Sequence, residues 1–586
     1  MLIDSLVIGA GKPAKLSRVN ALVGANNSGK STILEDIVRL VVNCEPSAPD
    51  VQVEDGAVPR VLTDVEYIKS LNEDSLTRGL RKEEGLEAGS FRYQGLGPTL
   101  QTAGAITLPA ETWNVLQRPK LMATAVQKSK IVDFLPLRIA FSTATMRRTL
   151  LESCPAVSPL EPAENVLQAF QYASQNKREM FAEACRQIAD APQIRLDDTQ
   201  VVSLCLRLAG EFPAVSEDPV AMAREYDALD RLDDQSDGLR EVASIVLGML
   251  MSEGRLVLID DPASHLAPDV AVKLGKWIAT HAEMLGVQVI VATHHQAFLS
   301  GLLAGGDGVS LLPLARQGDH TRIQSIPPQA LGPLSRSPFL SDAELVNCLF
   351  RQQVVVAPSD EDRAIYQRVA EQLHTDSSVA FVHAHGQSNV APVAQLLKKA
   401  GLRVASIVDM DIFSSEQAFM ELVMNLTGDQ PLTTWLSTRD KMAKSVSEAS
   451  PQAIREDAED VEAFLEQIQA GQADELVEAS RLQTKPSADV WQTIREQGLD
   501  GLSEDLRPWV EQLLDELQQK GIFVVPKGQL QGWIDFGGLQ SREDWFFNAV
   551  HEMEIEECPG DLQVFVSQTI DYCLSPLASN RTHHGT

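Results

Sequence analysis

Eight consecutive residues, Gly24-Ala25-Asn26-Asn27-Ser28-Gly29-Lys30-Ser31, fit the pattern GxxxxGK[ST]. Those types at that spacing serve one chemistry, the binding of a polyphosphate. Glycines let the backbone wrap a phosphate, and successive N–H groups and the positive end of a helix then point at it. Gly24, Asn26, Asn27, Ser28, Gly29, Lys30, Ser31 and Thr32 form the candidate nucleotide-binding set. Lys30 is expected to pair with the β- and γ-phosphates of ATP and Ser31 to ligate Mg2+. A second set ends the apolar run Arg255-Leu256-Val257-Leu258-Ile259-Asp260-Asp261-Pro262. Asp260 is expected to hold the same Mg2+ through water, and Asp261 stands where a general base polarises the attacking water. A buried strand ending in two acids is weak alone and strong beside a phosphate loop. A third set comprises Asp360, Glu361 and Asp362, then Asp409 and Asp411, then Lys527.

Each set needs an element to hold it. Ala21 to Val23 reads as a strand and Thr32 to Leu40 as a helix, the strand–loop–helix context that a phosphate loop requires. Later, Val354 to Val356, Val379 to His383 and Val404 to Val408 read as strands separated by helices at Ala364 to Leu373 and Val390 to Ala400. That is a βαβαβ unit with a parallel sheet. The acids fall at strand ends, where such sheets carry their sites. Ile522 to Val525 is a further strand, running into Lys527. A loop-like stretch over 301–345, with Gly305, Gly306 and Gly308 and then Pro327, Pro328, Pro333 and Pro338, is the natural boundary. The expected organisation is an α/β domain over 1–340 with a helical insertion at roughly 43–235. A parallel α/β domain over 345–586 follows, with a helical insertion at roughly 412–520.

The whole chain constrains what these sets can serve. Its 586 residues exceed what one core of about 250–300 residues supports. With 44% apolar and 22% charged residues it reads as globular and too apolar for disorder. The opening residues lack the layout of a secretory signal, no apolar run suits a bilayer, and seven cysteines without CxxC spacing point to a reducing cytoplasm. The net charge of −31 excludes a broadly basic protein that coats nucleic acid, but not a narrow basic channel or a metal-dependent nuclease. The dense run Glu456, Asp457, Glu459, Asp460 and Glu462 reads as a solvated helical face. His383 and His385 lack a third ligand at metal spacing.

Asp260-Asp261-Pro262-Ala263-Ser264-His265-Leu266-Ala267-Pro268 resembles the Walker B and D-loop run of ABC-type ATPases in the RecF, SMC and OLD group. Ser236-Asp237-Gly238-Leu239-Arg240 resembles their signature, and Val291-Ala292-Thr293-His294 their switch-histidine strand. The resemblance covers roughly 1–40 and 230–300. It implies a head dimer that sandwiches two ATP molecules, with Ser236 and Gly238 of one head facing Lys30, Ser31 and Asp260 of the other, and with His294 sensing the γ-phosphate. This chain has Asp261 where the group usually has Glu, one methylene shorter. Since ~1 Å of misplacement can cost ~10²-fold in rate, slow hydrolysis or a clamp role for ATP follows.

The second domain resembles the Toprim domain of OLD-family nucleases in Val382-His383-Ala384-His385-Gly386-Gln387-Ser388-Asn389, in Ile407-Val408-Asp409-Met410-Asp411 and in Val525-Pro526-Lys527-Gly528. The resemblance implies divalent metal, Mg2+ or Mn2+, on Asp409 and Asp411, and Lys527 stabilising phosphate charge as a catalytic group. The Glu-Gly pair that usually follows the first Toprim strand is missing. Either Glu361, Asp360 or Asp362 replaces it from a displaced position, or the centre does not cut. The combined expectation is an OLD-like, Gabija-like defence protein with ATP-regulated DNA cleavage. The alternative is an ATPase scaffold whose altered Toprim fold docks a separate effector or sensor protein. A homodimer or higher homo-oligomer through the heads and DNA are the expected partners, with no membrane.

Overall fold

Val19–Val23 (β1) is buried at every position. A strand apolar on both faces suits a parallel sheet covered by helices. In the computed structural model Lys30–Asn43 (α1) follows it. Ile139–Ser142 (β2), Leu256–Asp260 (β3), Gln288–Thr293 (β4) and Val309–Gln317 (β5) run parallel with it in one sheet, and His320–Ile323 (β6) lies antiparallel on β5. The order is β6-β5-β1-β4-β3-β2. Leu22, Leu256, Leu258, Ile290 and Leu312 pack in one core with Ile33, Leu34 and Ile37 of α1. Each such buried side chain contributes about 1.5–3 kcal/mol. On the opposite face Val257 and Ile259 line a small cavity together with Ile245 and Met249 of Asp237–Leu250 (α3). Ala144–Leu150 (α2) follows β2, Pro268–His281 (α4) follows β3, and Gln296–Ala304 (α5) follows β4. The carboxyl ends of β1, β3 and β4 share one edge, so their loops gather there.

The structure describes residues 5–6, 14–24, 28–43, 80–85, 87–109, 135–200, 202–214, 217–306, 308–317, 320–323, 326–328, 348, 353–373, 379–399, 402–445, 491–533, 546, 549 and 558–575. It divides into two units, Met1–Phe350 and Arg351–Thr586. Within the segment expected to be helical, 144–150, 166–171, 175–189 and 219–227 are helices. Two antiparallel three-stranded sheets stand there as well, one from 81–84, 90–96 and 103–109 and the other from 193–200, 203–209 and 230–231. They were not legible in the sequence, because Arg81–Glu84 and Ala103–Pro109 are largely solvent-facing and present no continuous apolar signal. Nor was β2, four residues that pair with the Asp260 strand.

Among the described residues of the second unit, four strands form a wholly parallel sheet. Gln353–Ala357 (β7), Val379–His383 (β8), Arg403–Val408 (β9) and Ile522–Val524 (β10) lie in the order β8-β7-β9-β10. Asp360–Leu373 (α6) and Gly560–Leu574 (α9) share a core with the sheet through Ile365, Tyr366, Phe523 and Phe565. Val390–Lys399 (α7) also packs on β7 and β9. Helices at 416–427, 433–445, 492–497 and Arg507–Gln518 (α8) lie between β9 and β10. The acidic run at 456–462 lies outside the described residues. Both units are mixed α/β with parallel sheets.

Candidate functional site

The end of β1 hands the chain to the phosphate loop at the buried Gly24, whose carbonyl accepts a 2.8 Å hydrogen bond from Lys30 Nζ. Lys30 Nζ also lies 3.5 Å from Ser28 Oγ. Gly29 has φ +88°, a left-handed value that glycine adopts without steric cost. Its carbonyl accepts from Ile33 N at 3.0 Å and so begins α1. Thr32 is half-buried on the first turn. Asn26 and Asn27 lie outside the described residues. Burial lowers the Lys30 ammonium below its ordinary range, opposed by the charges of Asp261 and Asp260.

Ser31 Oγ donates to Asp260 Oδ1 at 2.9 Å, across 229 residues of sequence. Burial raises the Asp260 carboxyl above its usual range, and the Ser31 hydrogen bond acts the other way. A hydroxyl and a desolvated carboxylate side by side form the hard-oxygen donor set that Mg2+ takes. Asp261 sits one residue beyond the strand at φ +45°, a conformation that costs a non-glycine residue on the order of 1–3 kcal/mol. Its N–H donates to Ala292 O at 2.8 Å, while its carbonyl accepts from Arg147 Nη2 at 2.8 Å. Among the described residues its Oδ1 is buried without a hydrogen-bond partner, and it lies 3.6 Å from His294 Nδ1. An acceptor in that state is costly until a donor reaches it. The His294 side chain is 47% exposed, which rules out a core histidine. The turn beneath it is fixed by Thr293 Oγ1, which accepts from His295 N at 3.0 Å, and by His295 Nδ1, which accepts from Phe298 N at 3.4 Å.

Ser236 occupies the N-cap of α3 but makes no side-chain capping bond, and it is exposed. Gly238 is half-buried on the first turn, and Asp237 lies 3.7 Å from Arg240. Two further residues escaped the sequence reading. Arg147 of α2 is buried and donates from Nε to Glu241 Oε1 of α3 at 2.6 Å. It also donates from Nη2 to the carbonyls of Asp260 and Asp261. Burial pushes the Glu241 carboxyl up to about 7, opposed by Arg147. A glutamate within the buried face of an otherwise apolar helix was the available signal, since such a charge demands a partner.

The strand ends of the second unit are occupied differently. Gln387 Nε2 donates to Asp409 O and to Asp411 Oδ1, both at 3.2 Å, and Gln387 Oε1 accepts from Asp409 N at 3.2 Å. Arg495 lies 3.6 Å from Asp411, and Lys527 Nζ donates to Asp500 Oδ2 at 3.0 Å. The pairing depends on a close crossing. A Cβ at Gly498 would lie 2.1 Å from Pro526 O, so only glycine lets this segment lie on the Lys527 turn. Ser359 Oγ accepts from Asp362 N at 3.2 Å and donates to its carboxylate at 2.8 Å, which starts α6 with Asp360, Glu361 and Asp362 in its first turn. Acids there complement the helix dipole. Among the described residues, no group of three or more His, Cys, Asp or Glu could hold a metal.

The family model described as "AAA domain, putative AbiEii toxin, Type IV TA system" matches residues 217–300. No curated protein matches the chain. Similar solved structures include an SMC head bound to the C-winged helix domain of ScpA, 13% identical with a TM-score of 0.33, covering 56% of this chain and 98% of that one. An Smc head with an extended coiled coil, bound to the C-terminal domain of ScpA derived from Pyrococcus furiosus, is 12% identical with a TM-score of 0.32, over 57% and 98%. The SMC head domain from Thermotoga maritima is 14% identical with a TM-score of 0.29, over 55% and 96%. At these scores the likenesses are weak. The family match spans the signature-like turn, Asp260, Asp261 and His294, and the first unit carries an ATPase-type, nucleotide-binding domain. No helix among the described residues is long and apolar enough to cross a membrane.

Proposed function

We propose that the first unit binds and slowly hydrolyses ATP as an ABC-type head, in a dimer whose two nucleotide sites are each completed by the other copy. The observation that carries this is the 2.9 Å bond between Ser31 and Asp260, which joins the phosphate loop to the acid strand. Ser31 and Asp260 would hold Mg2+, which would supply positive charge to the phosphates. Lys30 leaves the Gly24 carbonyl for the phosphates. Asp261 accepts a proton from the attacking water through its buried Oδ1, and His294 faces the same space. Ser236, whose exposed side chain makes no capping bond to its own helix, contacts the γ-phosphate bound by the second copy.

The second unit supports an OLD-like reading through its parallel sheet and its acids at strand ends. A role in nucleotide-gated defence against phage or other foreign DNA rests on that resemblance. The pairing of Asp411 with Arg495 and of Lys527 with Asp500 favours a unit that docks a separate effector over one that cuts. The test is plasmid DNA incubated with the full chain and Mg2+ or Mn2+, with and without ATP, beside Asp409→Ala/Asp411→Ala. ATP turnover without nicking is the expected result. Metal-dependent nicking that the double variant abolishes would establish the nuclease instead.

A further inference from the structure

We infer that Arg147 is a positioning residue that couples engagement of Ser236 by the second copy's nucleotide to the placement of Asp261. The inference rests on the composite-site reading above. Three hydrogen bonds tie α2 to α3. Arg147 Nε donates to Glu241 Oε1 at 2.6 Å, Ser244 Oγ donates to the Arg147 carbonyl at 2.9 Å, and Arg240 Nη2 donates to the Arg148 carbonyl. The other side of the same guanidinium donates from Nη2 to the carbonyls of Asp260 at 2.9 Å and Asp261 at 2.8 Å, and from Nη1 to Ser142 O at 3.0 Å. One planar fork thus spans the helix that carries Ser236 and the turn that carries both acids.

Ser236 lies five residues before Glu241, roughly 7–8 Å along the helix axis at about 1.5 Å per residue. The Arg147 and Glu241 side chains are 0% and 3% exposed, so a shift of α3 cannot be absorbed by solvent. Close-packed interiors transmit such shifts. On its far side Asp261 is held by Ala292, so a pull on its carbonyl turns the carboxylate rather than translating the loop. Arginine is required by the geometry. Lysine keeps the charge but cannot reach Glu241 and both carbonyls at once, because it lacks the rigid fork.

A purely structural role would move stability, affinity and rate together. The coupling role separates them. The experiment compares full-length wild type, Arg147→Lys and Glu241→Gln for Mg·ATP affinity by calorimetry, for kcat, and for the thermal transition. Arg147→Lys is expected to lower kcat about 100-fold, the scale of a ~1 Å misplacement, with Kd within about threefold of wild type. Glu241→Gln retains an oxygen for the Nε bond and is expected to lower kcat about tenfold, again at unchanged Kd. Wild-type kcat in Arg147→Lys, or a Kd that rises in step with the fall in kcat, overturns the inference. Should Arg147→Lys fail to fold, Glu241→Gln decides alone: lower kcat at constant Kd supports it, and unchanged kcat overturns it. A wild type that neither binds nor turns over ATP overturns the composite-site reading itself, a result distinct from active wild type with unaffected variants.

Discussion

Two parallel sheets in this chain carry charged side chains at their carboxyl ends, and the two clusters differ in what those charges face. In the first unit Asp260 meets a hydroxyl, Lys30 meets a carbonyl, and Oδ1 of Asp261, without a hydrogen-bond partner among the described residues, lies 3.6 Å from His294 Nδ1. In the second unit Asp411 meets Arg495, Lys527 meets Asp500, and Asp360 meets Arg363 at 2.7 Å. A phosphate arriving at the first cluster finds Lys30 bonded to the Gly24 carbonyl, within the field of Asp261 and Asp260. At the second it meets Asp411 and Lys527 already held in partly exposed ion pairs, each worth about 0–1 kcal/mol. The residue types alone look equally suited to phosphate chemistry; the partners each side chain already holds distinguish them.

The comparison breaks most visibly at Asp261. Asp261→Asn removes the general base and is expected to lower ATP turnover about 10²–10⁴-fold while leaving affinity near wild type. A turnover assay at saturating ATP checks it, and undiminished kcat would mean that the orphaned carboxylate has no part in the chemistry. The next effect concerns pH. Burial pushes Glu241 up to about 7, so the folded chain takes up a proton that the unfolded chain, near 4.5, releases. That contribution to stability is present at low pH and is lost as pH rises between those two values. Glu241→Gln should therefore show a flatter thermal transition across that window than wild type, measured by calorimetry. The smallest effect belongs to the second cluster. Lys527 and Asp500 form a partly exposed pair, so Lys527→Ala should change stability by about 0.2–1 kcal/mol and leave ATP turnover at the wild-type rate. A loss of turnover in that variant would make the second cluster part of the first one's chemistry.

Legibility in the sequence followed the distance over which each arrangement is made. The phosphate loop is eight contiguous residues whose spacing is its function, and the acid strand ends in its own two carboxylates. Both could be read directly, and the structure brings Ser31 and Asp260 together across 229 residues. The βαβαβ unit was equally legible, because its strands are continuous apolar runs. Arg147 was not. Its partner Glu241 is 94 residues away, and nothing in the local pattern of α2 distinguishes Arg147 from Arg148. The contacts of the second cluster were not legible for a related reason. Asp409, Asp411 and Lys527 have the right types, but Arg495 and Asp500 reach them through a segment packed at Gly498, a tertiary event that no spacing rule encodes. The short strand Ile139–Ser142 carries too few residues for periodicity to register, although it flanks Asp260's strand.

The central claim is that the first unit's phosphate loop holds ATP through Lys30. Calorimetric titration of Mg·ATP into wild type and Lys30→Ala tests it most directly. Loss of the charge-assisted bonds to phosphate, about 1.5–3 kcal/mol, predicts about a 10- to 100-fold weaker affinity in the variant. Equal affinity in the two proteins would contradict the assignment and, with it, the account of the site.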